Sequence, residues 1–238
     1  PGNWIANCAC KSSLFKDLRV ETIPFCLDTQ SFRPINVEMA RQQLNLPIEK
    51  KLILFGALSA TKDQRKGFQF LLPALKKLSQ SGWGDRIELV VFGSSAPKQA
   101  IDLGFKAHYL GHVKSDNALA QAYSAADVMI VPSIQESFGQ TTSEALACGT
   151  PVVAFDATGP QDIVDHQHTG YLAQPFSVDD LAHGIDWILQ DAQRHEKLCK
   201  QSREKAEKEY ALSIQAKAYI SLYEDLLANQ PSLAQVFV

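Results

Sequence analysis

Two glutamates, Glu136 and Glu144, stand eight positions apart and enclose Ser137-Phe138-Gly139-Gln140-Thr141-Thr142-Ser143. Paired carboxylates suggest the acid and nucleophile of a glycosidase, which are held about 5 to 9.5 Å apart. Eight residues of helix would separate them by about 12 Å at 1.5 Å per residue, so the spacing argues against hydrolysis. Gly139 permits close backbone approach and is placed to start a helix. The first amides of a helix lack intrahelical partners and carry the positive end of its dipole, so Gly139, Gln140 and Thr141 can receive an oxyanion. The alternative is that Ser137 caps that helix and no ligand is involved. Glu144, in the second turn, can accept two hydroxyls at once, or is a solvated helical glutamate. Glu136 precedes the helix and, without a ligand, is an exposed loop acid. In Arg65-Lys66-Gly67, Lys66 is a point charge of the kind that stabilises developing negative charge; its other reading is a solvated lysine.

These residues need elements that hold them. Lys51–Gly56, Ile87–Gly93, Ala107–Gly111, Asp127–Pro132 and Pro151–Phe155 read as short apolar strands. Helical patterns run through Phe68, Phe70, Leu71, Leu72, Leu75 and Leu78, and over about Ala96 to Leu103, Ser115 to Ala125 and Gly139 to Cys148. Strands alternating with helices imply right-handed crossovers, and the expected fold class is α/β: a Rossmann-like parallel sheet with helices on both faces. Ligands of such sheets sit at the carboxyl ends of the strands, which selects the loops Gly56 to Gly67, Gly93 to Pro97, Gly111 to Lys114 and Pro132 to Gly139. Further helices follow: a stripe of Val178, Leu181, Ile185, Ile188 and Leu189, a charged helix over about Ala192 to Tyr210, and a last one ending near Ala228. In the first 34 residues, Trp4 to Phe15 reads as helical and Val20 to Pro24 as a strand.

Bulk properties exclude several classes. The chain has 238 residues, 45% hydrophobic and 21% charged, enough to bury a core, and a net charge of -3 gives no basic field for nucleic acid. Its apolar runs are strand-sized, far below the roughly 20 residues of a membrane span. Five cysteines, Cys8, Cys10, Cys26, Cys148 and Cys199, lack metal-ligand spacing and suit reduced thiols in the cytoplasm. Pro1-Gly-Asn-Trp4 has neither an initiator Met nor a signal peptide, so a piece of a longer chain is expected.

Glu136-Ser-Phe-Gly-Gln-Thr-Thr-Ser-Glu144, continued by Ala-Leu-Ala-Cys-Gly-Thr-Pro-Val-Val-Ala154, resembles the E-x7-E signature of the family 4 retaining glycosyltransferases of the GT-B fold. Ile23 to Pro34 is similar to that family's interdomain linker, Arg65-Lys66-Gly67 opens the first long helix as in the family, and Thr158 to Tyr171 is similar to the segment after the signature. The resemblance implies the carboxyl-terminal half of a GT-B enzyme: residues 1–25 as the tail of an amino-terminal acceptor domain, 26–34 as linker, 35–208 as the donor-binding domain, and 209–238 as a carboxyl-terminal helix and tail.

It further implies a UDP-, GDP- or ADP-sugar as donor, a glycan or lipid-linked acceptor held by the amino-terminal domain, no cofactor and no metal. The enzyme would be a retaining hexosyltransferase that this fragment alone does not support, cytoplasmic, with peripheral association at the inner face of the membrane left open. Carried over residue by residue, Glu144 takes the ribose diol, Glu136 the donor hexose, Lys66 the departing diphosphate, and Ser137, Phe138, Gly139, Gln140 and Thr141 the phosphates. The nucleobase is expected near Gly93, Ser94, His112 and Val113, with Gly56 closing the first strand; His112 reads otherwise as a plain surface histidine. Ala57 stands where the family has a phosphate-clamping arginine, and Arg65 is the candidate substitute. His166 and His168 lack a carboxylate partner for a metal. A nucleotide-sugar epimerase of related fold and a non-catalytic nucleotide-sugar-binding module are the alternatives.

Overall fold

The computed structural model describes residues 1–56, 63–97, 99 and 101–229. Six strands, β1 (Lys51–Gly56), β2 (Ile87–Phe92), β3 (Ala107–Gly111), β4 (Val128–Val131), β5 (Val152–Phe155) and β6 (Gly170–Ala173), form one parallel sheet in the order β3-β2-β1-β4-β5-β6. The strands are near-continuous apolar runs because both faces are covered. Alternate residues serve the two sides: Leu52 and Leu54 join one buried cluster, Ile53 and Phe55 the other.

Eight helices surround the sheet among the described residues: α1 (Asn3–Cys10), α2 (Val37–Gln43), α3 (Phe68–Leu78), α4 (Asp116–Ala125), α5 (Gln140–Ala147), α6 (Val178–Leu189), α7 (Ala192–Glu209) and α8 (Leu212–Ala228). Helices α3 and α6 pack together over one face, while α2, α4 and α5 cover the other, with α7 against α5. Short polar side chains start several of them: Ser115 accepts from the Ala118 amide, Ser177 from Asp180, and Asp191 from Arg194.

The expected α/β class holds, with five local differences. Helix α1 stops at Cys10, and turns follow where the helix was expected to run on to Phe15. Strand β6 is an additional edge strand, four residues long, whose opening Gly170 lies so close to β5 that a Cβ would fall 2.0 Å from the Val152 carbonyl oxygen. Helix α2 is also additional; Asn36 caps it by accepting from the Met39 amide at 3.0 Å. No helix forms among the described residues of 96–103; Asp102 turns the chain there by accepting from the Gly104 amide. Val20 to Pro24 is no strand: it finds no neighbouring strand, and further along Leu27 makes an isolated bridge with Ala211. Leu27 and Phe32 are buried in the sheet's own core, and the Trp4 amide donates to Asp162.

Candidate active site

The order β3-β2-β1-β4-β5-β6 sends the chain outward in opposite directions from β1 and β4, so their loops diverge and leave a crevice at their carboxyl ends. A cleft of about 250 Å³ occupies that place, lined by Phe55, Gly56, Lys66, Ser133, Glu136 and Thr141 among others. Gly56, Lys66, Glu136 and Thr141 are thus brought together from three separate stretches of sequence.

The lysine is fixed by a latch between loops. Asp63 accepts from the Arg65 amide to start a short turn over Gln64–Lys66, and Gly67 leaves it at φ 74°, the left-handed region. A Cβ at Gly67 would lie 1.7 Å from the Pro132 carbonyl oxygen, so only glycine lets the turn rest on the loop after β4. The Ile134 amide donates to the Arg65 carbonyl at 2.8 Å and closes the latch. Lys66 Nζ consequently meets Glu136 Oε2 at 2.7 Å, both side chains about a quarter to a third exposed (30% and 24%). Glu136 is therefore not a free loop acid, and its carbonyl is clamped from the far side by the Gly159 amide at 2.7 Å.

Helix α5 begins immediately after this pair. Its cap is Gly139 at φ 101°, with no side chain bonding the first amides. Ser137 is exposed and does not cap it, which corrects that alternative: the N-cap position falls at Gly139, two residues further on. Thr141 faces the cleft and Gln140 is exposed. The Phe138 ring is instead core, edge-on to Phe25 and Tyr210 at centroid distances of 5.4 and 5.9 Å.

Glu144 sits one turn further, and it is not solvated: only 8% of the residue is exposed. The Tyr123 hydroxyl donates to its Oε2 at 2.8 Å. Burial pushes this carboxyl up to about 7, against the opposing pull of the Tyr123 hydrogen bond. The folded-state value lies above the ordinary 4.5, so the native state holds the proton more tightly and stability falls as pH rises from about 4.5 through about 7. Glu144→Gln removes the charge and keeps an acceptor for Tyr123. It is expected to raise the melting temperature at pH 8, with the gain vanishing near pH 4.5; a lower melting temperature at pH 8 would contradict a buried charge.

The remaining expected residues lie outside this cluster. Arg65 makes a two-pronged pair with Asp63 (Nε to Oδ1 at 3.0 Å, Nη2 to Oδ2 at 2.9 Å) and leaves 68% of its side chain exposed, so it does not reach the cleft in this state. Ala57 lies outside the described residues. Gly93 and Gly111 end β2 and β3 at φ 78° and 65° and are tied by a 2.8 Å amide-to-carbonyl bond. Ser94, exposed His112 and half-buried Val113 continue from them along the β2-β3 side of the crevice. Three contributors have no signal in sequence: Ser133 in the cleft wall, Tyr123 beneath Glu144, and Phe92, whose ring fills the place a Gly56 Cβ would take at 2.1 Å.

Elsewhere, no three or more His, Cys, Asp or Glu side chains come together to hold a metal among the described residues. His166 accepts from the Leu172 amide and packs on Tyr171 at 4.7 Å. All five cysteines are free, and burial pushes the Cys148 and Cys199 thiols up to about 12, out of reach of thiolate chemistry at neutral pH. Among the described residues no helix is long and apolar enough to cross a membrane.

Residues 36–209 match the family model described as "Glycosyl transferases group 1". The chain belongs to this family. A D-inositol 3-phosphate glycosyltransferase of Xylanimonas cellulosilytica is 30% identical over 230 residues, which are 90% of this chain and 53% of that protein. The sucrose-phosphate synthase structure from Thermosynechococcus elongatus superposes with a TM-score of 0.78 at 30% identity, over 94% of this chain and 57% of that one. The Anabaena HepE structure in complex with UDP-glucose superposes with a TM-score of 0.68 at 22% identity, over 84% of this chain and 56% of that one, and shares the fold. This group 1 glycosyltransferase chain spans about half the length of the curated relatives it matches.

Proposed function

We propose that this chain is the donor-binding half of a retaining glycosyltransferase of family 4, taking a nucleoside-diphosphate sugar in the crevice between β1 and β4. The observation that carries the reading is the Lys66–Glu136 pair, held at 2.7 Å in that crevice beside the uncapped start of α5. Each part of such a donor has a partner there. The α5 amides and Lys66 receive the diphosphate, Glu144 accepts the ribose hydroxyls, and Glu136 orients the hexose. The base lies toward Gly93, Ser94, His112 and Val113. Residues 35–208 form the donor domain in this reading, and the acceptor, a glycan or a lipid-linked sugar, is held by further chain.

Chemistry follows from that placement. The acceptor hydroxyl attacks the anomeric carbon on the face from which the diphosphate leaves, a phosphate oxygen takes the hydroxyl proton, and Lys66 with the helix amides stabilises the developing charge. The configuration at the anomeric carbon is kept. The test is acceptor-dependent transfer from UDP-, GDP- and ADP-sugars by the full-length protein, with the product anomer read by NMR. A product of inverted configuration would overturn the retaining assignment. No divalent ion takes part in this scheme, so excess EDTA is expected to leave donor binding unchanged within about twofold, and loss of binding on chelation would contradict it.

A further inference from the structure

We propose that Tyr123 is a positioning residue for the donor: its hydroxyl holds the Glu144 carboxylate oriented and ready to accept the two ribose hydroxyls. The inference rests on the reading of Glu144 as the ribose-binding carboxylate.

Glu144 and Thr141 are three residues apart on α5 and therefore share a helix face, and Thr141 lines the cleft. Tyr123 lies on α4, wholly buried, and donates to Glu144 Oε2 alone at 2.8 Å. A carboxylate has about four acceptor sites, so sites beyond those taken by the Tyr123 hydroxyl and the Gln140 side chain remain for a diol. The tyrosine ring cannot wander. It stands edge-on to Phe92 at 5.6 Å, and its carbonyl accepts from Thr150 Oγ1 at 2.8 Å. Phe92 in turn occupies the space beside Gly56 at the cleft wall, so Gly56, Phe92, Tyr123 and Glu144 form one packed series from β1 to α5.

The same contact governs the charge of Glu144. Burial favours its neutral form, and the Tyr123 hydroxyl favours the ionised form that accepts two hydroxyls. Of the other groups near it, the Gln140 side chain also favours the ionised form, more weakly than Tyr123. Asp116 on α4 opposes ionisation, Cys148 follows the last residue of α5, and Arg203 on α7 spends Nη1 on the Phe32 and Ala147 carbonyls and Nη2 on the Thr29 carbonyl and Glu207. Strands β4 and β5 bring only apolar residues.

The test is calorimetric titration with UDP-glucose, GDP-mannose and ADP-glucose between pH 6 and pH 9, a range in which a diphosphate diester does not titrate. Wild type is expected to bind one of them more tightly as pH rises through neutrality. Tyr123→Phe keeps the ring and should move that rise upward by about one pH unit, making binding about tenfold weaker at pH 6.5 and within about twofold of wild type at pH 9. Glu144→Gln should bind weakly with a flat profile. A Tyr123→Phe profile parallel to wild type, with Glu144→Gln still weakened, would overturn the positioning role alone. Glu144→Gln binding as wild type, or no probe binding at all, would overturn the ribose reading beneath it. A measurement on unmodified protein keeps the test independent of how the variant folds: the 2′-deoxyribose form of the bound probe should lose most of the pH dependence, and retention of the full dependence would count against the proposal.

Discussion

Asp127→Ala is expected to destabilise the protein by about 3–5 kcal/mol, the cost of stripping one partner from a buried ion pair. Asp127 is 8% exposed and stands at the entry to β4, at the end of the sheet opposite the cleft. Its carboxylate accepts from Arg41 Nη2 at 2.8 Å, from Lys51 Nζ at 2.9 Å and from the Leu52 amide at 2.7 Å. Arg41, 5% exposed, spends its other donors on the carbonyls of Ala125, Ile48 and Lys50. Alanine would leave a buried guanidinium without its counter-charge and the Leu52 amide of β1 without its acceptor. A fall in melting temperature of about 6–20 °C follows, since each kcal/mol is worth about 2–4 °C at this size. Urea denaturation reads the free energy directly, and a loss below about 1 kcal/mol would show that the pair is dispensable. Lys51→Ala, by contrast, removes a 39%-exposed partner and should cost less than about 1 kcal/mol.

Lys66→Ala is expected to weaken nucleoside-diphosphate binding about 10- to 100-fold, equivalent to about 1.4–2.8 kcal/mol. Turnover of the full-length enzyme should fall by about 10²–10³, because the charge acts where negative charge develops. Lys66 faces Glu136 at 2.7 Å in the cleft, so a diphosphate would compete with that carboxylate for the ammonium. Glu136→Gln separates the two roles. It frees Lys66 and should leave nucleoside-diphosphate affinity unchanged or higher, while the extra affinity of the sugar-bearing donor is lost. Equal weakening of nucleoside, monophosphate and diphosphate by Lys66→Ala would place the lysine away from the phosphates.

Much of this architecture was written in local patterns. Strands β1 to β5 are apolar runs bounded by Gly, Pro or Asp, and α3 and α6 carry apolar stripes, so their periods declare them. What stayed hidden depends on distant neighbours. Strand β6 is four residues long and is recognisable only by the close approach of Gly170 to Val152. The helical spacing near 96–103 has Ser95 in place to cap it and Pro97 in its first turn, where proline is tolerated, so no local signal forbids the helix. The glycine at 139 marked the α5 start correctly, yet Ser137 beside it caps nothing.

The candidate site shows the same division. Glu136, Gly139, Thr141 and Glu144 lie within one signature, and their order along the chain is their order in space. Lys66 meets Glu136 across 70 residues, and Tyr123 meets Glu144 across 21, through packing that no local spacing encodes. Burial of Glu144 and the exposed, Asp63-bound state of Arg65 likewise come from tertiary surroundings.

The most direct measurement is calorimetric titration of this chain with UDP, GDP and ADP, in parallel with Glu144→Ala. A nucleoside-diphosphate site in the β1-β4 crevice predicts that at least one of the three binds with a stoichiometry of one, and that Glu144→Ala weakens it by about tenfold or more. Binding of none of them, or binding that Glu144→Ala leaves unchanged, would contradict the donor-site account.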